Sequence, residues 1–166
     1  MPTGTDALAS VSIFGGLSSE ALRFLDERLE TVHVPAGGSF FSEGDLGDSV
    51  YVLDEGRVEV TKSRNGKSTV LALLEPGSCF GEVALIGICP RTASVRALDD
   101  CRARKLPSRV LLELYRRLPE QFTLLQMNLG REVARRLSHL TDALLELVAA
   151  DDEPTLLARH FGSSVK

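Results

Sequence analysis

The sequence has no paired-cysteine motif, no long apolar run, no excess of positive charge and no cluster of histidines, and each absence removes a class of protein. Its three cysteines, Cys79, Cys89 and Cys101, are an odd number without a Cys-x-x-Cys spacing. That usage argues against a disulfide framework and for a reduced, cytoplasmic protein in which the thiols are structural. No apolar stretch approaches the roughly 18 residues that cross a bilayer, and residues 1–10 lack the basic segment and apolar core of a signal peptide. The expectation is a soluble chain with no membrane partner. With 19 Lys and Arg against 23 Asp and Glu the formal net charge is −4, which gives no electrostatic footprint for a polyanion and disfavours nucleic acid as a partner. His33, His139 and His160 are isolated, and neither a Gly-x-Ser-x-Gly elbow nor a metal-ligand spacing occurs. No catalytic residue, metal or cofactor is assigned, and the chain is read as a non-enzyme.

What is present suffices for one well-cored domain: 166 residues, 43% of them apolar and 25% charged. Residues 1–16 are small, polar and glycine-containing, which predicts a flexible arm. From Leu17 a helix is expected, capped by Ser18, with Glu20 in its first turn and Ala21, Leu22, Leu25 and Leu29 at helical spacing. Residues 31–106 then break into short β runs: 31–34, 39–41, 50–53, 58–60, 69–74, 79–80, 93–97 and 101–106. Asn65-Gly66 between two of them is a strong hairpin signal, because both residues tolerate positive φ. Eight short strands predict an α+β fold built on an eight-stranded jelly roll. Helical periodicity returns after Pro107. Ser108 is expected to cap a helix over 110–118, and Pro119 to start a long one reaching about residue 150. The C-terminal helices therefore occupy about 108–150 of a domain spanning 17–150, and residues 151–166, with Asp-Asp-Glu-Pro and Gly-Ser-Ser, are expected to be a disordered tail. Val133, Leu137, Leu140, Leu144 and Leu147 are spaced 4, 3, 4 and 3, a heptad seam that suits a homodimer. The same stripe would also serve to cover the open side of the roll within one chain.

One stretch carries the chemistry, Phe-Gly-Glu-Val-Ala-Leu-Ile-Gly-Ile-Cys-Pro-Arg-Thr-Ala-Ser-Val at 80–95. Gly77 and Gly81 let the backbone approach a ligand, and residues 83–86 make about one helical turn whose first amides have no internal partner. Arg91 offers a planar fork for two phosphate oxygens, while the Glu82 carboxylate accepts from a sugar hydroxyl. Anion donors beside a hydroxyl acceptor point to a sugar phosphate. Alone, Arg91 would be a surface arginine after a proline and Glu82 a carboxylate favourably placed at a helix start.

Phe80-Gly81-Glu82-Val83-Ala84-Leu85, followed by Pro90-Arg91-Thr92-Ala93-Ser94-Val95, resembles the phosphate-binding cassette of cyclic nucleotide-binding domains. The helix at 17–29, the Gly-Asp-Leu-Gly-Asp-Ser-Val-Tyr-Val-Leu run at 44–53, the Glu-Gly-Arg-Val-Glu-Val run at 55–60 and the long final helix extend the likeness over about residues 14–150. The resemblance implies a sensory module that binds cAMP or cGMP and signals by rearranging its C-terminal helices toward an unknown effector, and the polar tail favours a stand-alone binder. It implies Gly81 and Glu82 on the ribose, and Arg91, Thr92 and the backbone at Val83, Ala84 and Ala93 on the cyclic phosphate. Thr92 leaves the base open: its hydroxyl can hold a syn guanine or simply bond phosphate, and family frequency sets cAMP ahead of cGMP. His139 and Thr141 are candidates for capping the base, although a helical His and Thr are equally read as surface residues. Family members that regulate transcription carry a winged helix-turn-helix beyond this helix, and the 16 residues after Ala150 are too few for one. A non-binding interaction module of the same fold, or a fragment of a larger regulated protein, are the alternatives.

Overall fold

The computed structural model describes residues 4–149. Eight strands run β1 Glu30–Val34, β2 Ser39–Phe41, β3 Ser49–Glu55, β4 Val58–Arg64, β5 Lys67–Leu74, β6 Cys79–Phe80, β7 Ser94–Ala97 and β8 Cys101–Pro107. They form two four-stranded antiparallel sheets, ordered β1-β8-β3-β6 and β2-β7-β4-β5. Each of the eight β runs read from the sequence has its strand. Asn65 and Gly66, at φ 53° and 75°, close the β4–β5 hairpin as the two-residue turn requires. Helices α1 Gly4–Ala9 and α2 Ser19–Asp26 precede the roll, α3 Glu82–Gly87 interrupts it, and α4 Ser108–Arg117 and α5 Pro119–Ala149 follow. The expected α+β jelly roll is the architecture observed.

β3 explains how the layers join. Its run Ser49 to Leu53 is buried on both faces. Val50 and Val52 point to a helical core that also holds Leu106, α4 residues Val110, Leu111 and Leu114, and α5 residues Leu125 and Leu129. Tyr51 and Leu53 point into the roll, among Val34, Val58, Phe80, Val95, Ala97, Cys101 and Ala103. A strand with two apolar faces reads as a continuous rather than an alternating run, as Val-Tyr-Val-Leu does.

Two expectations need correction. Residues 4–14 are not a flexible arm: α1 and a 3-10 turn at Ser12–Phe14 pack into the helical core, with Leu8, Ile13 and Phe14 fully buried. The glycines and serines between them masked an apolar set whose burial outweighs the ordering cost of the backbone. The domain boundary also differs from 150, because the described chain divides into two compact units after Arg131. Beyond residue 131 Val133 is half-buried, while Leu137, Leu140, Leu144 and Leu147 are each at least 40% exposed. Burial thus stops short of the end of the helical pattern. Residues 1–3 and the expected tail at 151–166 lie outside the described residues. Of the expected caps, Ser18 Oγ accepts from the Ala21 amide at 3.2 Å, whereas Ser108 is the first helical residue and its amide donates to the Asp48 carbonyl at 2.8 Å.

Truncating Phe14 tests the N-terminal packing. Phe14→Ala should lower unfolding free energy by about 3–5 kcal/mol in urea titration, whereas a loose arm would leave the midpoint unchanged.

Candidate functional site

The cassette begins where β6 ends. Gly81, at φ 85°, is the left-handed residue before α3, and a Cβ there would lie 2.5 Å from Arg91 Nη1. Glycine is therefore required twice, by the backbone angle and by the guanidinium packed against it. Glu82 opens α3 and is 2% exposed, and Ala84 is equally buried. At Ala84 the helix meets Gly47 of the β2–β3 loop so closely that any side chain at 47 would overlap it. After α3 the chain turns through Ile88 and Cys89 to Arg91. The Arg91 backbone is held by the same loop: its amide donates to the Asp45 carbonyl at 2.8 Å and its carbonyl accepts from the Gly44 amide at 2.9 Å.

The Arg91 side chain points inward and is 3% exposed. Nη1 donates to the Ser49 carbonyl at 2.8 Å and to the Gly81 carbonyl at 2.9 Å, and Nη2 donates to Ser49 Oγ at 3.1 Å. Nε is buried with no partner. The guanidinium lies 4.1 Å from the centroid of Phe41 and 5.8 Å from that of Tyr51. These rings belong to an aromatic floor in which Tyr51 and Phe80 stack at 5.3 Å. Burial pushes the Arg91 pKa down, opposed by Tyr51, Asp48, Asp45 and Glu82. A guanidinium starts high enough that it remains a cation. The arrangement buries a fixed positive charge beside a buried carboxylate residue at the start of a helix.

The structure brings Gly81, Glu82, Ala84 and Arg91 together. Val83 is 39% exposed. Thr92 is exposed and Ala93 half-buried; the Thr92 carbonyl accepts from Lys62 Nζ at 2.7 Å, and Lys62 in turn lies 3.6 Å from Glu43. Gly77 serves the β5–β6 turn, its amide donating to the Leu53 carbonyl at 2.8 Å. His139 and Thr141 lie in the second unit and are exposed; Thr141 Oγ1 donates to the Leu137 carbonyl at 2.9 Å. Sequence reasoning missed Ser49, Phe41 and Tyr51. Ser49 carried a signal, a small polar residue opening a run of apolar ones, but only the fold brings it to Arg91, 42 positions away. A depression of about 320 Å³ between α2 and α4, lined by Phe24, Arg28 and Arg117 among others, includes none of the predicted residues.

The model of the cyclic nucleotide-binding domain matches residues 31–118. The chain belongs to the cyclic nucleotide-binding domain family. It is 29% identical over 165 residues to a CRP-like cAMP-activated global transcriptional regulator of Mycobacterium tuberculosis, covering 95% of this chain and 72% of the regulator. It is 40% identical over 99 residues to the cAMP-dependent protein kinase regulatory subunit of Yarrowia lipolytica, covering 60% of this chain and 26% of that protein. Among solved structures, the Thermus thermophilus catabolite activator protein matches with a TM-score of 0.71 at 34% identity, over 83% of this chain and 63% of that one. Cyclic nucleotide-binding domains thus supply both the fold and the sequence likeness, in relatives longer than this chain.

The double demand on residue 81 is testable. Gly81→Ala should destabilise the domain by about 1–3 kcal/mol from backbone strain alone, read as a lower urea midpoint with an unchanged slope.

Proposed function

We propose that the chain binds a cyclic mononucleotide, cAMP in preference to cGMP, as a regulatory module rather than an enzyme. The observation that carries this is the inward Arg91 guanidinium, 3% exposed yet with Nε unpartnered. A buried guanidinium held in the cassette is the fixed positive charge that a phosphate monoanion requires. In this assignment Arg91 grips the cyclic phosphate with the backbone of Val83, Ala84 and Ala93 and with Thr92, while Gly81 and Glu82 hold the ribose. The preference for cAMP is supported by relatives whose names carry it, the M. tuberculosis regulator and the Y. lipolytica kinase subunit. Thr92, exposed at the cassette edge, leaves a route to cGMP. His139 and Thr141 are the candidates for capping the base.

Signalling follows from differential affinity: the nucleotide shifts the C-terminal helices only as far as it binds one of their arrangements better than the other. Output passes to an effector protein or to a second copy through Val133, Leu137, Leu140, Leu144 and Leu147. No contact with nucleic acid is assigned to these residues, on the net charge of −4. No described helix is long and apolar enough to cross a membrane, and no disulfide joins Cys79, Cys89 and Cys101; together these support a cytoplasmic site of action. A second reading, a non-binding module of the same fold, is favoured by one feature: three of Arg91's donor bonds already go to protein oxygens.

Calorimetric titration with cAMP and with cGMP separates the two readings. Binding should appear for the unmodified chain, tighter for cAMP, and Arg91→Ala should weaken it at least tenfold, the loss of one or more bonds to a charged group worth about 1.5–3 kcal/mol each. Unchanged affinity in that variant removes Arg91 from the site, and no binding of either nucleotide leaves the interaction module. For the seam, Leu137→Glu with Leu144→Glu should convert a dimer to a monomer in sedimentation velocity, since charges at heptad core positions oppose pairing.

A further inference from the structure

We infer that the depression between α2 and the end of α4 is the seat for an acidic segment of the effector protein, one in which an apolar side chain is flanked by carboxylates. This rests on the reading of the chain as a regulatory module and goes beyond it, because it gives the effector a place and a chemistry.

The depression, of about 320 Å³, has room for a few side chains and lies within the first unit. Its floor is apolar, made by the Phe24 ring, 7% exposed, and by half-buried Leu118. Arginines stand around that floor. Arg28 is committed to the protein: it donates to the Phe24 carbonyl at 3.0 Å, to Glu27 at 3.1 Å and to Glu113 at 3.3 Å, and its guanidinium covers the ring at 4.1 Å. Arg23 and Arg117 are not committed. Both are exposed, and Arg117 lies 5.7 Å from the centroid of Phe24. Among the described residues, neither side chain makes a hydrogen bond or an ion pair. Of the two acids that line the depression, Glu27 is spent on Arg28, which leaves Glu20 against two cations. The chain as a whole carries a net charge of −4, so the sign reverses locally. Two guanidinium forks over an apolar floor suit carboxylates around an apolar anchor.

Arg23 and Arg117 each lie in the last turn of their helices, where the helix dipole favours a cation. That accounts for a cation at each end, but not for two helix ends converging on one apolar floor with their side chains unpaired. A two-fold contact with a second copy would set the same arginines face to face, so the occupant is a different protein. The seat also adjoins the joint between the C-terminal helices. The Leu118 amide donates to the Leu114 carbonyl of α4 at 2.7 Å, and its carbonyl accepts from the Phe122 amide of α5 at 3.0 Å. A segment resting on Leu118 therefore touches the residue from which α5 departs.

The test is fluorescence anisotropy of the nucleotide-free chain with a short labelled peptide of glutamates around one phenylalanine, and with the same peptide carrying glutamine or lysine in place of glutamate. The unmodified chain should bind the glutamate peptide saturably, more weakly as salt rises, and the glutamine peptide about tenfold more weakly. Arg23→Glu with Arg117→Glu should lose about tenfold or more for the glutamate peptide and gain the lysine peptide, a swap that loss of folding does not produce. Arg23→Gln with Arg117→Gln should bind the glutamate peptide with intermediate affinity. The inference is overturned by no saturable binding of the glutamate peptide, by equal binding of the glutamine peptide, or by undiminished binding in the charge-reversed variant. It is overturned too if charge reversal changes the sedimentation of the chain alone, which makes the face a contact between copies. Neither arginine belongs to the cassette, so the charge-reversed variant should bind cAMP as the unmodified chain does, and a parallel loss of cAMP affinity also overturns the inference. A chain that passes the peptide test and binds neither cAMP nor cGMP overturns the nucleotide reading alone.

Discussion

A cation buried among aromatic rings must be given oxygens or it destabilises the fold that encloses it. Arg91 meets that demand with the Ser49 carbonyl and hydroxyl and the Gly81 carbonyl, 2.8–3.1 Å away, and with the face of Phe41. Much of the cassette's local geometry follows from this. Residue 81 must be glycine to clear Nη1. Its left-handed backbone turns the chain from β6 into α3, and that turn places Glu82 at the helix start, where a carboxylate is electrostatically favoured. The loop after Phe41 must come close enough for Asp45 and Gly44 to bond the Arg91 backbone. A lysine at 91 would lack the planar fork and satisfy fewer of these acceptors.

The same economy appears in β3. Because its two faces are both buried, one strand belongs to the roll interior and to the helical core. The residue that opens it, Ser49, takes part in the cassette as well. The first unit therefore has no separable polar layer: the Arg91 cluster, the aromatic floor of Tyr51 and Phe80, and the apolar contact with α4 and α5 meet within a few consecutive residues.

How much of this was legible in the sequence depended on the range of the cause. Strands were readable because short β-rich runs and turn residues are local, and the Asn65-Gly66 turn named its own conformation. The cassette was readable because Gly81, Glu82 and Arg91 lie within eleven positions and resemble a known family pattern. What escaped was set by contacts distant in sequence. Ser49 and Phe41 reach Arg91 only after two strands from different sheets are brought together. Residues 4–14 looked loose because composition reports average polarity, and four apolar side chains, Leu8, Val11, Ile13 and Phe14, suffice to anchor so short a segment when a core is waiting for them. At α5 a regular apolar stripe was read as one domain to residue 150, while a compact unit ends at residue 131 and Leu137, Leu140, Leu144 and Leu147 of the stripe are exposed.

The closeness of Gly47 to Ala84, taken with the paired amide bonds between the Arg91 backbone and residues 44 and 45, makes the β2–β3 loop and the cassette a single mechanical part. Neither end of α3 can shift without dragging that loop. Leu46, at its tip and 89% exposed, is then a natural place for a spectroscopic label: it rides on that part while standing clear of the buried charge.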